Sequence, residues 1–254
     1  MKNIFNLEGK VAVVTGAGKG IGKSLAIGLS EFGCDLVLVA RTLSDLEKVA
    51  GEIEKKGRKA LPVPTDVSSE EQVNAMVARA VEHFGKIDIL VNNSGVSGDK
   101  PVLKMDLDYW EWVMSVNLRG PFLCAKAVGA QMAKQKSGKV INVSSITFQM
   151  AIPNMTSYCA SKAGLVQFTK ALALEWVKYN IQVNAVCPGY IRTPMNEEFF
   201  ASEAGKKVIE KTLPMKRLGE PEEMIGSVVY FSSPASDFTT GAVLVVDGGQ
   251  ILGK

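Results

Sequence analysis

The chain alternates between short apolar, β-branched runs and longer segments in which apolar positions recur every three or four residues. Strand-like runs lie near 11–15, 35–40, 59–64, 87–92, 138–143, 181–186 and 243–246. The first, Val11-Ala12-Val13-Val14-Thr15, lacks polar alternation, as expected of a strand covered on both faces. Between the runs the period becomes helical. Val73, Met76, Val77, Ala80, Val81 and Phe84 step through i, i+3, i+4, i+7, i+8 and i+11, one face of an amphipathic helix. Ser161, Leu165, Phe168 and Leu172 repeat the pattern later. Such alternation predicts an α/β fold, a doubly wound parallel sheet of seven strands with helices on both faces. No composition break, repeat or low-complexity stretch divides residues 1–254, which read as one domain.

Sheets of this kind bind ligands beyond the carboxyl ends of their strands. The first strand runs into Gly16-Ala17-Gly18-Lys19-Gly20-Ile21-Gly22 and then a helical pattern through about Phe32. Strand, glycine-rich turn and helix in that order make a cradle for a dinucleotide pyrophosphate, because glycine lets backbone N–H groups approach it at the helix N-terminus. Taken alone, the glycines also fit a tight turn without a ligand. Asp66, Asn92-Asn93, Ser145 and Pro188-Gly189 follow other strand ends, so the polar residues converge on one edge.

Tyr158 and Lys162 stand at i and i+4 on a helical stretch and share a face. A phenol has a pKa near 10; an ammonium beside it stabilises the phenolate and lowers that value. Such a pair can move a proton to or from an alcohol oxygen. Isolated pairs of this kind are common on solvated helices. Here Ser145 lies thirteen positions upstream at a strand end, with Ser144 beside it as the local alternative.

Thr15-Gly16-Ala17-Gly18-Lys19-Gly20-Ile21-Gly22, Asp66-Val67, Asn92-Asn93-Ser94-Gly95, Asn117, Ser145, Tyr158 with Lys162, and Pro188-Gly189 with Thr193 together resemble the short-chain dehydrogenase/reductase family in its compact form. The resemblance covers nearly the whole chain and extends to Gly241–Gly249 at the last strand. Ser94 departs from it, since the family usually has Ala there. The resemblance implies a Rossmann-type fold in a single dinucleotide-binding catalytic domain. It implies that Tyr158 is the acid/base, that Lys162 lowers its pKa and holds the nicotinamide ribose, and that Ser145 holds the substrate oxygen. Asn117, an awkward residue in an apolar helical pattern, is expected to kink its helix so that its carbonyl binds a relay water. Gly16, Gly18, Gly20 and Ile21 are expected at the pyrophosphate, and Lys19, inside the same turn, among the cofactor-binding residues. Asp66 and Val67 are expected at the adenine, and Asn93, Ser94 and Gly95 beside the ribose. Pro188, Gly189, Ile191 and Thr193 are expected over the nicotinamide. Asp66 also reads as a simple helix N-cap. Extended relatives with a GxxGxxG turn fit less well than the TGxxxGxG form present here.

Cofactor choice is read after the second strand, where an acidic residue would accept the ribose 2′-OH of NAD. Here Ala40 is followed by Arg41, so no carboxylate is expected to repel a 2′-phosphate, and Lys19 can approach it from the other side. NADP(H) is expected, with NAD(H) as the alternative. A lid is expected over about 190–215. Thr147, Gln149, Asn154, Tyr190, Met195 and Phe199 are expected to line the substrate site. Their apolar lean favours a carbonyl or 3-oxoacyl compound, as in 3-oxoacyl-carrier-protein reductases. Lid residues 195–200 also resemble gluconate 5-dehydrogenases, which keeps a polyol or sugar-acid dehydrogenase open. A cofactor-bound regulatory protein without catalysis is the alternative of another class. It would be expected to lack one of Asn117, Ser145, Tyr158 or Lys162, and all are present.

A net charge of +3 without basic clusters gives no case for nucleic acid, and Lys206, Lys207 and Lys211 read as a solvated helix face. Cys34, Cys124, Cys159 and Cys187 have neither metal-ligand nor C-x-x-C spacing and read as reduced thiols, which suits the cytoplasm. His83 is the only histidine, at a polar helix end, so no metal site is expected. No apolar run is long enough to span a membrane. Helices near 107–134 and 157–179 are expected to pack across a two-fold axis in a homotetramer, as the resemblance implies.

Overall fold

The computed structural model describes residues 3–252. These form one parallel sheet of seven strands: β1 (Val11–Thr15), β2 (Asp35–Ala40), β3 (Ala60–Pro64), β4 (Ile89–Asn92), β5 (Gly138–Val143), β6 (Ile181–Pro188) and β7 (Val243–Val246). Their order across the sheet is β3-β2-β1-β4-β5-β6-β7. The chain winds outward from β1 to β3, then returns to place β4 on the other side of β1, opening a crevice between the carboxyl ends of β1 and β4. The expected α/β architecture and strand count are those observed.

Helices α1 (Gly20–Glu31), α2 (Leu43–Glu54) and α9 (Ile225–Ser232) cover one face, packing Leu25, Leu29, Leu46, Ile53 and Val228 on Ala12, Val14, Leu36 and Leu38. On the other face, α3 (Glu70–Phe84), α5 (Gly120–Gln135) and α6 (Thr156–Trp176) pack Val73, Met76, Val128 and Leu172 on Val11, Val13, Val37 and Val39. Successive strand residues thus feed opposite cores, which is why the strands are apolar throughout. Between α3 and α5 lies α4 (Leu107–Met114), and α7 (Glu197–Ala201) and α8 (Glu203–Thr212) follow β6.

Start and stop signals act locally. Ser69 caps α3 by accepting from the Gln72 N–H at 3.3 Å, and Gly85, at φ 77°, ends it. The Asp66 carboxylate instead accepts from the Ser68 N–H at 2.9 Å and the Ser68 hydroxyl at 2.7 Å, a turn before the helix. The N-cap reading of Asp66 is therefore corrected: the cap belongs to Ser69.

One buried polar chain runs through the apolar layers. Asn92 Nδ2 donates to Asn142 Oδ1 at 2.9 Å, Asn142 Nδ2 donates to Thr169 Oγ1 at 2.8 Å, and Thr169 donates to the Leu165 carbonyl at 2.8 Å. It ties β4 and β5 to α6, the helix that carries Tyr158 and Lys162.

Candidate active site

The glycine turn closes against the β4 end with no space for side chains. A Cβ on Gly22 would lie 2.2 Å from the Gly16 carbonyl oxygen and 2.4 Å from Asn93 Nδ2. Gly16 has φ +68°, and a Cβ there would lie 2.8 Å from Asn93 Nδ2. Thr15 Oγ1 organises the junction by accepting from the Asn93 N–H at 2.9 Å and the Ser94 N–H at 3.0 Å. Asn93 Nδ2 donates to the Thr15 carbonyl at 3.0 Å, so its side chain braces the turn. Among the described residues no side chain caps α1 at Lys19, which leaves its first N–H groups free for an anion. A glycine cradle at an uncapped helix start fits a dinucleotide pyrophosphate. Thr193 faces the same turn, with its Cγ2 3.3 Å from a Cβ position on Gly20.

At the adenosine end, Arg41 is exposed, and its charge helps hold the Asp66 carboxyl below the usual carboxylate range, after the larger effect of the Ser68 hydroxyl. Lys19 Nζ is 3.1 Å from Asp45 Oδ2 on the first turn of α2. The expectation of a pocket without a carboxylate is thus corrected: Asp45 reaches it from beyond the strand end. Val67 is turned into the core, with its Cγ2 2.9 Å from a Cβ position on Gly120. Ile191 is likewise a core side chain; its backbone is bridged to Gly219, and its carbonyl accepts from Asn196 Nδ2 at 2.8 Å. Gly189 lets the end of β6 close on Asp247, whose Cβ is 2.7 Å from the Gly189 Cβ position.

The reactive groups gather past β5. Ser145 caps a short helical turn over Ile146–Phe148, its Oγ accepting from the Thr147 N–H at 3.2 Å. The Ser144 hydroxyl donates to the Lys162 carbonyl at 2.8 Å, which occupies it structurally and leaves Ser145 as the serine facing the crevice. Lys162 is buried and donates from Nζ to the Val143 carbonyl at 2.9 Å. Its Nζ lies 5.7 Å from the Tyr158 ring centroid and 3.5 Å from a Cβ position on Gly95. Burial pushes the Lys162 ammonium down to about 8. Burial of the hydroxyl end pushes the Tyr158 phenol up, while contact with the Ser145 hydroxyl acts the other way. The expected lowering of the Tyr158 pKa is thus corrected: the phenol stands above its ordinary value. Desolvation outweighs the Ser145 contact.

Asn117 sits in a π-helical turn, Ser115–Arg119, between α4 and α5. A widened turn there is the kink that the family resemblance implies. Its Oδ1 accepts from the Val96 N–H at 2.8 Å, and its Nδ2 donates to the Val96 carbonyl at 2.9 Å and to Ser161 Oγ at 3.2 Å. Asn117 therefore clamps the loop after β4 to α6.

The substrate-side residues spread out. Thr147 is buried with an unpartnered Oγ1, whereas Gln149 is exposed. Asn154 is exposed at φ 65°, and its carbonyl accepts from the Lys100 N–H at 2.8 Å, joining two loops at the mouth. The Tyr190 ring lies 5.1 Å from that of Phe200 in a small core with Leu213 and Leu218, so it supports the lid from below. Met195 and Phe199 remain 64% and 50% exposed on the lid. Thr15, Gly22, Asp45, Val96 and Ser161 take part in the geometry beyond the expected set. The glycine motif contains the first two; no local pattern marks the others.

Residues 16–250 match the family model described as enoyl-(acyl carrier protein) reductase. The 3-oxoacyl-[acyl-carrier-protein] reductase of Synechocystis is 38% identical over 248 residues, covering 97% of this chain and 98% of its own. The gluconate 5-dehydrogenase of Gluconobacter oxydans is 36% identical over 247 residues, with 97% and 96% covered. The crystal structure of a gluconate 5-dehydrogenase from Burkholderia cenocepacia in complex with NADP and tartrate superposes with a TM-score of 0.95 at 35% identity, covering 99% of this chain and 98% of that one. Cradle, kinked helix and strand-end serine thus accompany similarity along nearly the full length, and the chain belongs to the short-chain dehydrogenase/reductase family.

Proposed function

We propose that the chain interconverts a ketone and a secondary alcohol with NADP(H), and that its substrate is a carbonyl or 3-oxoacyl compound. The observation that carries this reading is a buried lysine beside Tyr158 at the same sheet edge as an uncapped glycine cradle. When bound, the reduced nicotinamide supplies the hydride. Tyr158 donates its hydroxyl proton to the substrate oxygen, and in the reverse direction accepts it as phenolate. Ser145 hydrogen-bonds that oxygen as negative charge develops. Lys162 steadies the phenolate and carries the proton demand inward, past Gly95 and toward Asn117. NADP bound to the similar Burkholderia enzyme supports the cofactor assignment. Lys19 and Arg41 supply positive charge at the adenosine end.

Exposed Met195 and Phe199 on the lid favour an acyl or cyclic ketone. A sugar-acid substrate is the second reading, carried by the gluconate 5-dehydrogenase similarity. The test is titration with NADPH, then assay with acetoacetyl-CoA and 5-keto-D-gluconate. Tyr158→Phe should retain NADPH binding and lower kcat by about 10²–10⁴-fold; wild-type turnover in that variant would reject the mechanism.

The same reading includes a homotetramer in the cytoplasm. A groove of about 450 Å³ along α5 and α6, lined by Phe122, Phe168, Leu172 and Trp176, supports helix pairing, as does Leu174, 80% exposed. The free cysteines suit a reducing compartment, and no helix among the described residues is long and apolar enough to cross a membrane.

A further inference from the structure

The adenosine end of the crevice contains an opposition of charges. Lys19 leaves the glycine turn with its side chain 69% exposed, and its Nζ meets Asp45 Oδ2 at 3.1 Å. Asp45 is the less mobile partner, with a side chain only 19% exposed. It is pressed against the turn: a Cβ on Gly18 would lie 3.1 Å from Asp45 Cβ and 3.9 Å from Ala40 Cβ. The carboxylate therefore stands in the gap between the β2 end and the glycine turn, where a doubly wound sheet receives the adenosine ribose.

We propose that Asp45 is a selectivity residue for the nicotinamide cofactor. It limits the preference for the 2′-phosphorylated form and keeps the unphosphorylated form usable. The inference rests on reading this crevice as a nicotinamide-dinucleotide site. A phosphate monoester carries about −1.5 to −2 charges at neutral pH. Exposed ion pairs are weak, so Lys19 can swing from Asp45 to a phosphate. Asp45, held at Gly18, stays and repels it. A ribose hydroxyl in the same place is a hydrogen-bond donor and finds an acceptor in that carboxylate. Arg41 and Lys19 thus favour phosphate while Asp45 opposes it, and the outcome is dual use rather than strict selection.

The test is a fluorescence titration of NADPH and NADH against wild type, Asp45→Asn, Lys19→Ala and the double variant at two salt concentrations. Asp45→Asn should raise the NADPH-over-NADH affinity ratio by about tenfold, within about 3- to 30-fold, and by less at high salt. Lys19→Ala alone should lower the ratio, and Asp45→Asn should still raise it in that background, because the repulsion acts on the phosphate and not through Lys19; a purely structural role of Asp45 would weaken both nucleotides together and leave the ratio unmoved. An unchanged ratio, or weaker NADPH binding in Asp45→Asn, would overturn the inference while leaving the dinucleotide reading intact. Failure of both nucleotides to bind wild type would overturn both.

Discussion

Replacing Asn117 with Ala deletes the clamp that joins the loop after β4 to the kinked helix and α6. Three hydrogen bonds disappear: the one Asn117 Oδ1 accepts from the Val96 N–H, and the two its Nδ2 gives to the Val96 carbonyl and Ser161 Oγ. Asn117 is 0% exposed, so its site does not hydrate freely after truncation. Val96 is half-buried and recovers water in part, and Ser161 keeps its own 2.7 Å bond to the Tyr158 carbonyl. At about 1 kcal/mol per lost bond, with a similar contribution from a polar group left unpaired, the expected loss is about 2–4 kcal/mol. For a chain of this size each kcal/mol moves Tm by about 2–4 °C, so Tm should fall by roughly 4–16 °C. Circular dichroism melts of wild type and Asn117→Ala at equal concentration measure this. Asn117→Asp adds a sharper comparison. Ionised, it loses both donors and sets an oxygen against the Val96 carbonyl. Protonated, it regains one donor, so its deficit should shrink as pH falls. A melt of Asn117→Ala within 2 °C of wild type, or an Asp deficit indifferent to pH, would refute the clamp.

Three further outcomes follow from the same geometry. In Gly22→Ala the new Cβ would lie 2.2 Å from the Gly16 carbonyl oxygen, so the turn must shift; dinucleotide affinity should fall by about 100-fold or more in a binding titration. Gly51→Ala, in the middle of α2 with nothing within 4 Å, should instead stabilise by about 0.5–1 kcal/mol. For Lys162, folding lowers the ammonium pKa from 10.5 to about 8, so the folded state binds fewer protons than the unfolded chain between those values. That cost, about 3 kcal/mol, is full below pH 8 and fades as pH rises toward 10.5. Lys162→Met loses the bond to the Val143 carbonyl but escapes this cost. Its denaturant stability relative to wild type should therefore be highest at pH 7 and decline by pH 10.

Much of this arrangement was legible in the sequence because it rests on local rules. Uninterrupted apolar runs marked strands covered on both faces, and glycine after Thr15 marked the turn. Asn117 stood out in an apolar helical pattern, but the expectation of a kink came from the family resemblance, since the pattern alone also fits a surface Asn. Asp45 was not legible: it lies on an ordinary amphipathic helix, and only tertiary packing brings it back to Gly18. Val67 and Ile191 were harder for the opposite reason. Their motif positions suggested the crevice, yet at each the apolar side chain packs into the core. Asp66 and Ser69 both satisfy the composition of a helix cap, and only the hydrogen bonds distinguish them.

The register of the catalytic helix has a polar origin. Apolar packing alone constrains α6 weakly, because much of its circumference is apolar and a one-turn slip would still bury hydrophobic surface. Three consecutive residues, the last two of β5 and the one that follows it, remove that freedom. Asn142 donates to Thr169, Val143 accepts from Lys162 Nζ, and Ser144 donates to the Lys162 carbonyl. A slip would leave these buried groups unpaired together, at a cost of several kcal/mol by the usual penalty of about 1–3 kcal/mol each. Lys162 is thus held at both its backbone and its ammonium. Tyr158, one turn earlier on the same helix, inherits that position beside Ser145, which follows Ser144 just past the strand end. The costly burial of the ammonium and the precise placement of the phenol are two consequences of one set of contacts. Relieving the first by substitution would also loosen the second.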